Sequence, residues 1–267
     1  MKNNVIEIDN LSLPYAFQNF NLSIERNKFT AITGSNSCGK TTLIKCILGQ
    51  IFTDNTIYIF SQQLEYYRIT ELNIIIKSII PGEYFFTEET PLQELKFSLN
   101  NSELLYGIKQ KKIKDIIKSL KLTKIQNKNI NELSEAEKIK VQLAKHLLQE
   151  PKILLLDDIF LGLKREDKET IFNVLRAYQE KMDLTIIMTT SNLEDCLNCD
   201  YIYVIDKNTI VLEGKAAEVL EKDNILNRVG LELPFIIDLS VKLRDYDLIN
   251  QIDISMDIDR MVEQLWK

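Results

Sequence analysis

The sequence predicts an α/β fold built around a mostly parallel sheet, and three observations carry that expectation. Residues 28–33, Lys-Phe-Thr-Ala-Ile-Thr, read as a short buried strand running into a glycine-containing loop and then a helix. Residues 151–158, Pro-Lys-Ile-Leu-Leu-Leu-Asp-Asp, form an apolar run ending in two acids, as expected of a strand covered on both faces. A third apolar strand, Leu184 to Thr189, follows a helical stretch from about Lys164 to Lys181.

The remaining elements follow in chain order. A β-rich portion, Val5 to Ile24, comes first. After the loop, Thr42 to Gly49 reads as a helix with Leu43, Ile44, Ile47 and Leu48 on its buried side. The stretch from about 88 to 150 is mainly helical, with helices at Leu92 to Leu99, Lys109 to Leu120 and Ala136 to Gln149. Tyr201 to Ile205, a polar turn at Asp206-Lys207-Asn208, and Thr209 to Leu212 predict a hairpin.

Composition sets bounds. The 267 residues, 45% of them hydrophobic, suit one large α/β domain or two modest ones. No apolar run reaches the roughly 18 residues that span a bilayer, and MKNNVIEID lacks the apolar core of a signal peptide. The expectation is a protein kept in the cytoplasm, reaching a membrane only through partners. A net charge of −6 disfavours a broad nucleic-acid surface. Lys109, Lys111, Lys112, Lys114 and Lys118 alternate with isoleucines and read as the solvated face of a helix. Cys196 and Cys199 make a lone CxxC, and the chain has a single histidine, His146, so neither a zinc site nor a disulfide is expected.

Glycine is scarce, so its placement is informative: of eight, Gly34, Gly39 and Gly49 fall in one short window. Gly34-Ser35-Asn36-Ser37-Cys38-Gly39-Lys40-Thr41 matches G-x-x-x-x-G-K-[ST] between a strand and a helix, the context that gives the motif its meaning. Consecutive loop amides and the helix dipole make one positive concavity for phosphates. Lys40 would reach the β- and γ-phosphates, and Thr41 would ligate Mg²⁺. Thr42 continues the site into the helix. Asp157, at the end of its strand, is the second expected Mg²⁺ partner, acting through water, and Asp158 stands where a water-activating carboxylate would. Either acid could instead be a turn or cap residue. The implied cofactors are ATP and Mg²⁺.

With these parts in this order, the chain resembles the ATP-binding cassette (ABC) ATPases. Asp157 lies 117 residues after Lys40, Leu133-Ser134 opens a helix 23 residues before Asp157, and a hairpin ending in Glu213-Gly214 follows the last core strand. The resemblance implies a P-loop NTPase of ABC type: a RecA-like core with an antiparallel β subdomain, a helical subdomain at about 88–150, and a C-terminal helical extension. It places the ATP-binding domain at 1–215 and the extension, which would help subunits pair, at 216–267. The segment Leu233-Pro234-Phe235-Ile236-Ile237-Asp238-Leu239, Lys242-Leu243-Arg244 and a final helix ending in Leu265-Trp266 are similar to energy-coupling-factor (ECF) transporter ATPases. That likeness implies a second ATPase subunit, identical or not, a transmembrane coupling protein, and a place on the cytoplasmic face of the membrane. Tyr15 would stack on adenine, unless it is a strand core residue. Ser134 would donate to the γ-phosphate held by the opposite subunit. Tyr84, Phe85 and Phe86 are candidates for docking the membrane partner, or else core of the helical part.

The pattern also breaks. The family's Leu-Ser-Gly-Gly-Gln reads Leu133-Ser134-Glu135-Ala136-Glu137. The catalytic glutamate is Asp158, the switch histidine aligns with Ser191, the γ-phosphate-sensing glutamine aligns near Ile79, and the acid of the dimer-contact loop is Lys164. An intact binding loop beside altered hydrolytic parts predicts strong ATP binding and weak hydrolysis, with turnover shared with a partner. A regulatory cassette that senses ATP without transport, or a soluble cassette acting on ribosomes or DNA, are the other readings.

Overall fold

The computed structural model describes residues 3–54 and 56–246. The chain opens with a hairpin of β1 (Asn4–Leu13) and β2 (Phe17–Glu25), then β3 (Phe29–Thr33) and α1 (Lys40–Ile47). β4 (Ile57–Ile59), β5 (Gln62–Gln63), α2 (Ile69–Ile75) and β6 (Ile76–Ile79) come next. The helical part consists of α3 (Pro91–Ser98), α4 (Tyr106–Ser119) and α5 (Glu135–Leu148). β7 (Ile153–Asp157), α6 (Arg165–Met182), β8 (Thr185–Thr190), α7 (Leu193–Cys196), β9 (Tyr201–Asp206) and β10 (Thr209–Lys215) complete the core. α8 (Ala216–Leu220), α9 (Asp223–Arg228) and α10 (Phe235–Asp245) follow. The expected final helix at Leu265-Trp266 lies outside the described residues.

Two sheets result. A six-stranded sheet runs β10-β9-β3-β8-β7-β6, parallel except at the β9/β10 hairpin. A smaller antiparallel sheet runs β2-β1-β4-β5. The apolar run of β7 is explained by its two covers. Leu154 and Leu156 join the core cluster that includes the helical part, while Ile153 and Leu155 join the one shared with α1 and the small sheet. All four are fully buried, each stabilising the fold by about 1.5–3 kcal/mol.

Local chemistry sets the helix starts. Thr90 caps α3 with Pro91 at its first position, and Ser134 opens α5 in a capping box with Glu137. The lysine-rich α4 buries Ile113, Ile116 and Ile117 and turns its lysines outward, as the periodicity predicts. It begins at Tyr106, three residues earlier than expected.

Candidate functional site

β3 ends at Thr33 and the chain turns through 34–39 into α1. Two glycines make this turn possible for different reasons. A Cβ on Gly34 would lie 2.2 Å from the backbone oxygen of Ile205, so the end of β9 sets how close the loop may lie. Gly39 caps α1 at φ 99, and a Cβ there would meet the Phe17 ring at 3.0 Å. Ser37 also has a left-handed backbone, φ 66, so the loop curls. The first turn of α1 carries no acid to offset the positive end of the helix.

Lys40 lies inside this curl. Its Nζ donates to Gly34 O at 2.8 Å and Ser35 O at 3.0 Å, and the residue is only 7% exposed. Ser35 is half-buried, Cys38 is buried, and Asn36, Ser37 and Thr41 are exposed, with Thr42 half-buried behind them. The ammonium thus sits within a curl of small polar residues and backbone amides. This arrangement fits a polyphosphate, which would take over donors that the lysine now spends on loop carbonyls.

Asp157 ends β7 beside Thr189 of β8, nearly buried. Thr189 Oγ1 donates to Asp157 Oδ1 at 2.6 Å. Asp158, the next residue, has a left-handed backbone at φ 54, and its N–H reaches Thr189 Oγ1 at 3.0 Å. The carboxyl of Asp158 accepts the Ser191 N–H. Burial raises the Asp158 pKa, the Lys40 charge opposes that rise, and Asp157 and Asp195 add to it. The loop lysine, both acids and the residue at the switch position therefore share one electrostatic neighbourhood. Among the described residues no three His, Cys, Asp or Glu side chains gather as a metal cluster.

Sequence reading missed Thr189, whose hydroxyl serves both acids. Its signal was a polar pair, Thr189-Thr190, at the end of an apolar strand. It missed a brace too. Thr190 Oγ1 donates to Asp195 Oδ2 at 3.2 Å and accepts the Asn192 N–H at 3.0 Å, and Lys168 of α6 pairs with Asp195 at 2.8 Å. That brace fixes the backbone on either side of Ser191.

Ser134 and Tyr15 are not in this cluster. Ser134 caps α5 and donates its hydroxyl to Glu137 Oε2 at 2.8 Å. Tyr15 sits in the β1–β2 turn with φ 64 and is fully exposed, which excludes the strand-core alternative. It lines a cleft of about 490 Å³ with Phe17, the residue whose ring packs on Gly39. A wider cleft of about 620 Å³, around Tyr201 and Tyr203, includes none of the loop residues.

The docking candidates separate. Tyr84 and Phe86 pack on the core, so for these two the structure favours the core reading, while Phe85 is 74% exposed. Ile79 is buried in β6 and presents nothing polar. Lys164 caps α6 without a side-chain bond to the helix. Cys196 and Cys199 are buried free thiols.

The sequence pattern of the ABC transporter family matches residues 17–160, more than half of the chain. The energy-coupling factor transporter ATP-binding protein EcfA1 of Lactobacillus delbrueckii subsp. bulgaricus is 26% identical, covering 100% of this chain and 98% of that protein. The EcfA1 protein of Leuconostoc mesenteroides is 28% identical over 90% of this chain and 91% of its own length. Among solved structures, cbiO1 from Clostridium perfringens, part of the ABC transporter complex cbiONQ, superposes with a TM-score of 0.74 at 26% identity, covering 89% of this chain and 99% of that one. The resemblance and the P-loop fold of ABC type expected from the sequence are borne out.

Proposed function

The chain belongs to the ABC transporter family, and from that premise we propose that it is the ATP-binding subunit of an ECF-type importer that binds nucleotide well and hydrolyses it poorly. Similarity to the two EcfA1 proteins and to cbiO1 over 89% of the chain or more supports the subunit role. The observation that carries ATP binding is Lys40, buried within a curled loop of backbone amides and close enough to Asp158, the residue after Asp157, for its charge to oppose the rise in that acid's pKa.

Each side chain has a task in this reading. The amides of Gly34, Ser35, Asn36, Ser37, Cys38 and Gly39 and the start of α1 at Thr41 and Thr42 hold the phosphates, with Lys40 as their counter-charge. The Thr41 hydroxyl and Asp157, through water, would hold Mg²⁺, which when bound neutralises phosphate charge. Tyr15 stacks on adenine. Ser134 reaches the nucleotide of a paired cassette, identical or not, and Phe85 meets a transmembrane coupling protein. No described helix is long and apolar enough to cross a membrane, so attachment to the cytoplasmic face is through partners. Residues 1–215 form the ATP-binding domain and 216–267 the pairing extension.

Weak hydrolysis follows from reach. Asp158 is one methylene shorter than glutamate, and a misplacement of about 1 Å can cost on the order of 100-fold in rate. Ser191 contributes a backbone N–H to Asp158, and its side chain cannot supply a cation. Two measurements test the proposal: recovery of an affinity-tagged chain from its own membranes, and single-turnover hydrolysis by the pure chain. Co-purification of a polytopic membrane protein and slow turnover are expected. Partner-independent turnover at about 10 s⁻¹, an ordinary enzyme rate, abolished by Asp158→Asn, contradicts the weakened-hydrolysis reading. Absence of any membrane partner favours a regulatory cassette instead.

A further inference from the structure

The start of α5 carries two carboxylates, and the fold treats them differently. Glu137 is consumed locally. Its Oε2 takes both the Ser134 N–H and the Ser134 hydroxyl at 2.8 Å, and the backbone bond is the main cause of its lowered pKa. Glu135, the first residue of the helix, instead accepts a hydrogen bond from the hydroxyl of Tyr84, far away in sequence. Tyr84 is half-buried, lies 6.2 Å from the Phe86 ring and packs on the core. Burial, followed by the bond to Glu135, pushes its hydroxyl well above the usual tyrosine range, so it stays a donor at neutral pH.

Tyr84 also belongs to a strap that is pinned twice to α5. Gly82 begins it with φ 80. Lys145, near the end of α5, donates to Phe85 O at 2.8 Å and pairs with the buried Glu94 at 2.6 Å. The Phe85 ring stays exposed between these two anchors.

Resting on the transporter reading above, we propose that Tyr84 is a positioning residue: it holds the Glu135 carboxylate aside, so that the first amides of α5 can meet a phosphate of the paired cassette. The amides and dipole at a helix start favour an anion. A loose carboxylate on the first residue opposes it. At 4–5 Å even fully solvated like charges repel by enough to change an equilibrium about fivefold. Because Tyr84 rides on the strap, any partner that shifts Phe85 also changes where Glu135 points. The strap thereby couples an outer contact to nucleotide affinity at the start of α5.

The test uses the complex that the tagged chain brings out of its own membranes, with KM for ATP and kcat measured at low and high salt. Tyr84→Phe keeps the ring and removes the donor. It is expected to raise KM about fivefold at about 0.05 M salt with little change in kcat, and much less at 1 M, where charges are screened within about 3 Å. In a Glu135→Gln background the same substitution should have no effect on KM. An unchanged KM in Tyr84→Phe overturns the proposal, as does a rise that persists beside Glu135→Gln or ignores salt, since packing alone would produce either of the last two. A wild-type chain that binds no Mg-ATP overturns the transporter reading and, with it, this inference.

Discussion

Thr189 serves both acids at the sheet end: its hydroxyl donates to Asp157 Oδ1 at 2.6 Å, and the same oxygen accepts the Asp158 N–H at 3.0 Å. The strand pairing of β7 with β8 sets this up, because Asp157 lies directly beside Thr189. Thr189→Val keeps the shape and removes the hydroxyl. A buried carboxylate then loses a donor, which costs about 1–3 kcal/mol. The expected result is lower stability in urea titration, together with Mg²⁺-dependent ATP binding weakened about tenfold when measured against an EDTA control.

Gly34→Ala should be more damaging than its size suggests. The added carbon would meet a backbone oxygen at 2.2 Å, and backbone cannot rotate away as a side chain can. Overpacking of this kind costs about 1–3 kcal/mol, or roughly 2–12 °C in Tm for a domain of this size. Thermal scans should show that loss, and nucleotide titration should show weakened binding, because the loop moves with the residue.

His146 makes stability depend on pH. It is the single histidine, buried between Gln142 and the Ser78 carbonyl. Burial, then the charges of Lys77 and Lys145, lower its pKa to about 3. The unfolded chain takes up a proton near pH 6.5 and the folded one does not. The neutral ring's contribution is therefore intact above about pH 6.5 and declines as pH falls from there towards 3, by about 1.4 kcal/mol per unit. Unfolding free energies from urea titration at pH 7 and pH 5 should differ by about 2 kcal/mol more in wild type than in His146→Leu.

Asp158→Glu tests reach. If the missing methylene limits hydrolysis, the longer acid should raise single-turnover rates by up to about 100-fold, and Asp158→Asn should abolish what remains. Equal rates in all three would show that Asp158 takes no part in activating water.

Local patterns were legible in the sequence, and long-range ones were not. The strand–loop–helix at Phe29 to Ile47 carries its own signature in adjacent residues, and Leu133-Ser134 marks the opening of a helix, which the structure starts at Glu135 with Ser134 as its cap. The change from α2 to β6 at Ile75/Ile76 is hidden in an apolar run without a glycine or proline to mark it. β5 is only Gln62-Gln63, too short and too polar to register as a strand. Thr189 meets Asp157 and Tyr84 meets Glu135 only after the chain has folded, so spacing could not reveal either contact. The direction of the Glu135 side chain is not legible in the sequence, and in the fold the Tyr84 hydroxyl tethers it.

Calorimetry with pure protein and Mg-ATP tests the central claim most directly, comparing wild type with Lys40→Ala. The account predicts saturable heat that needs Mg²⁺ and an affinity loss of about 100-fold or more in the variant, on the scale of removing a charge-assisted contact at a desolvated site. Absent heat in wild type, or equal affinity in Lys40→Ala, would contradict it.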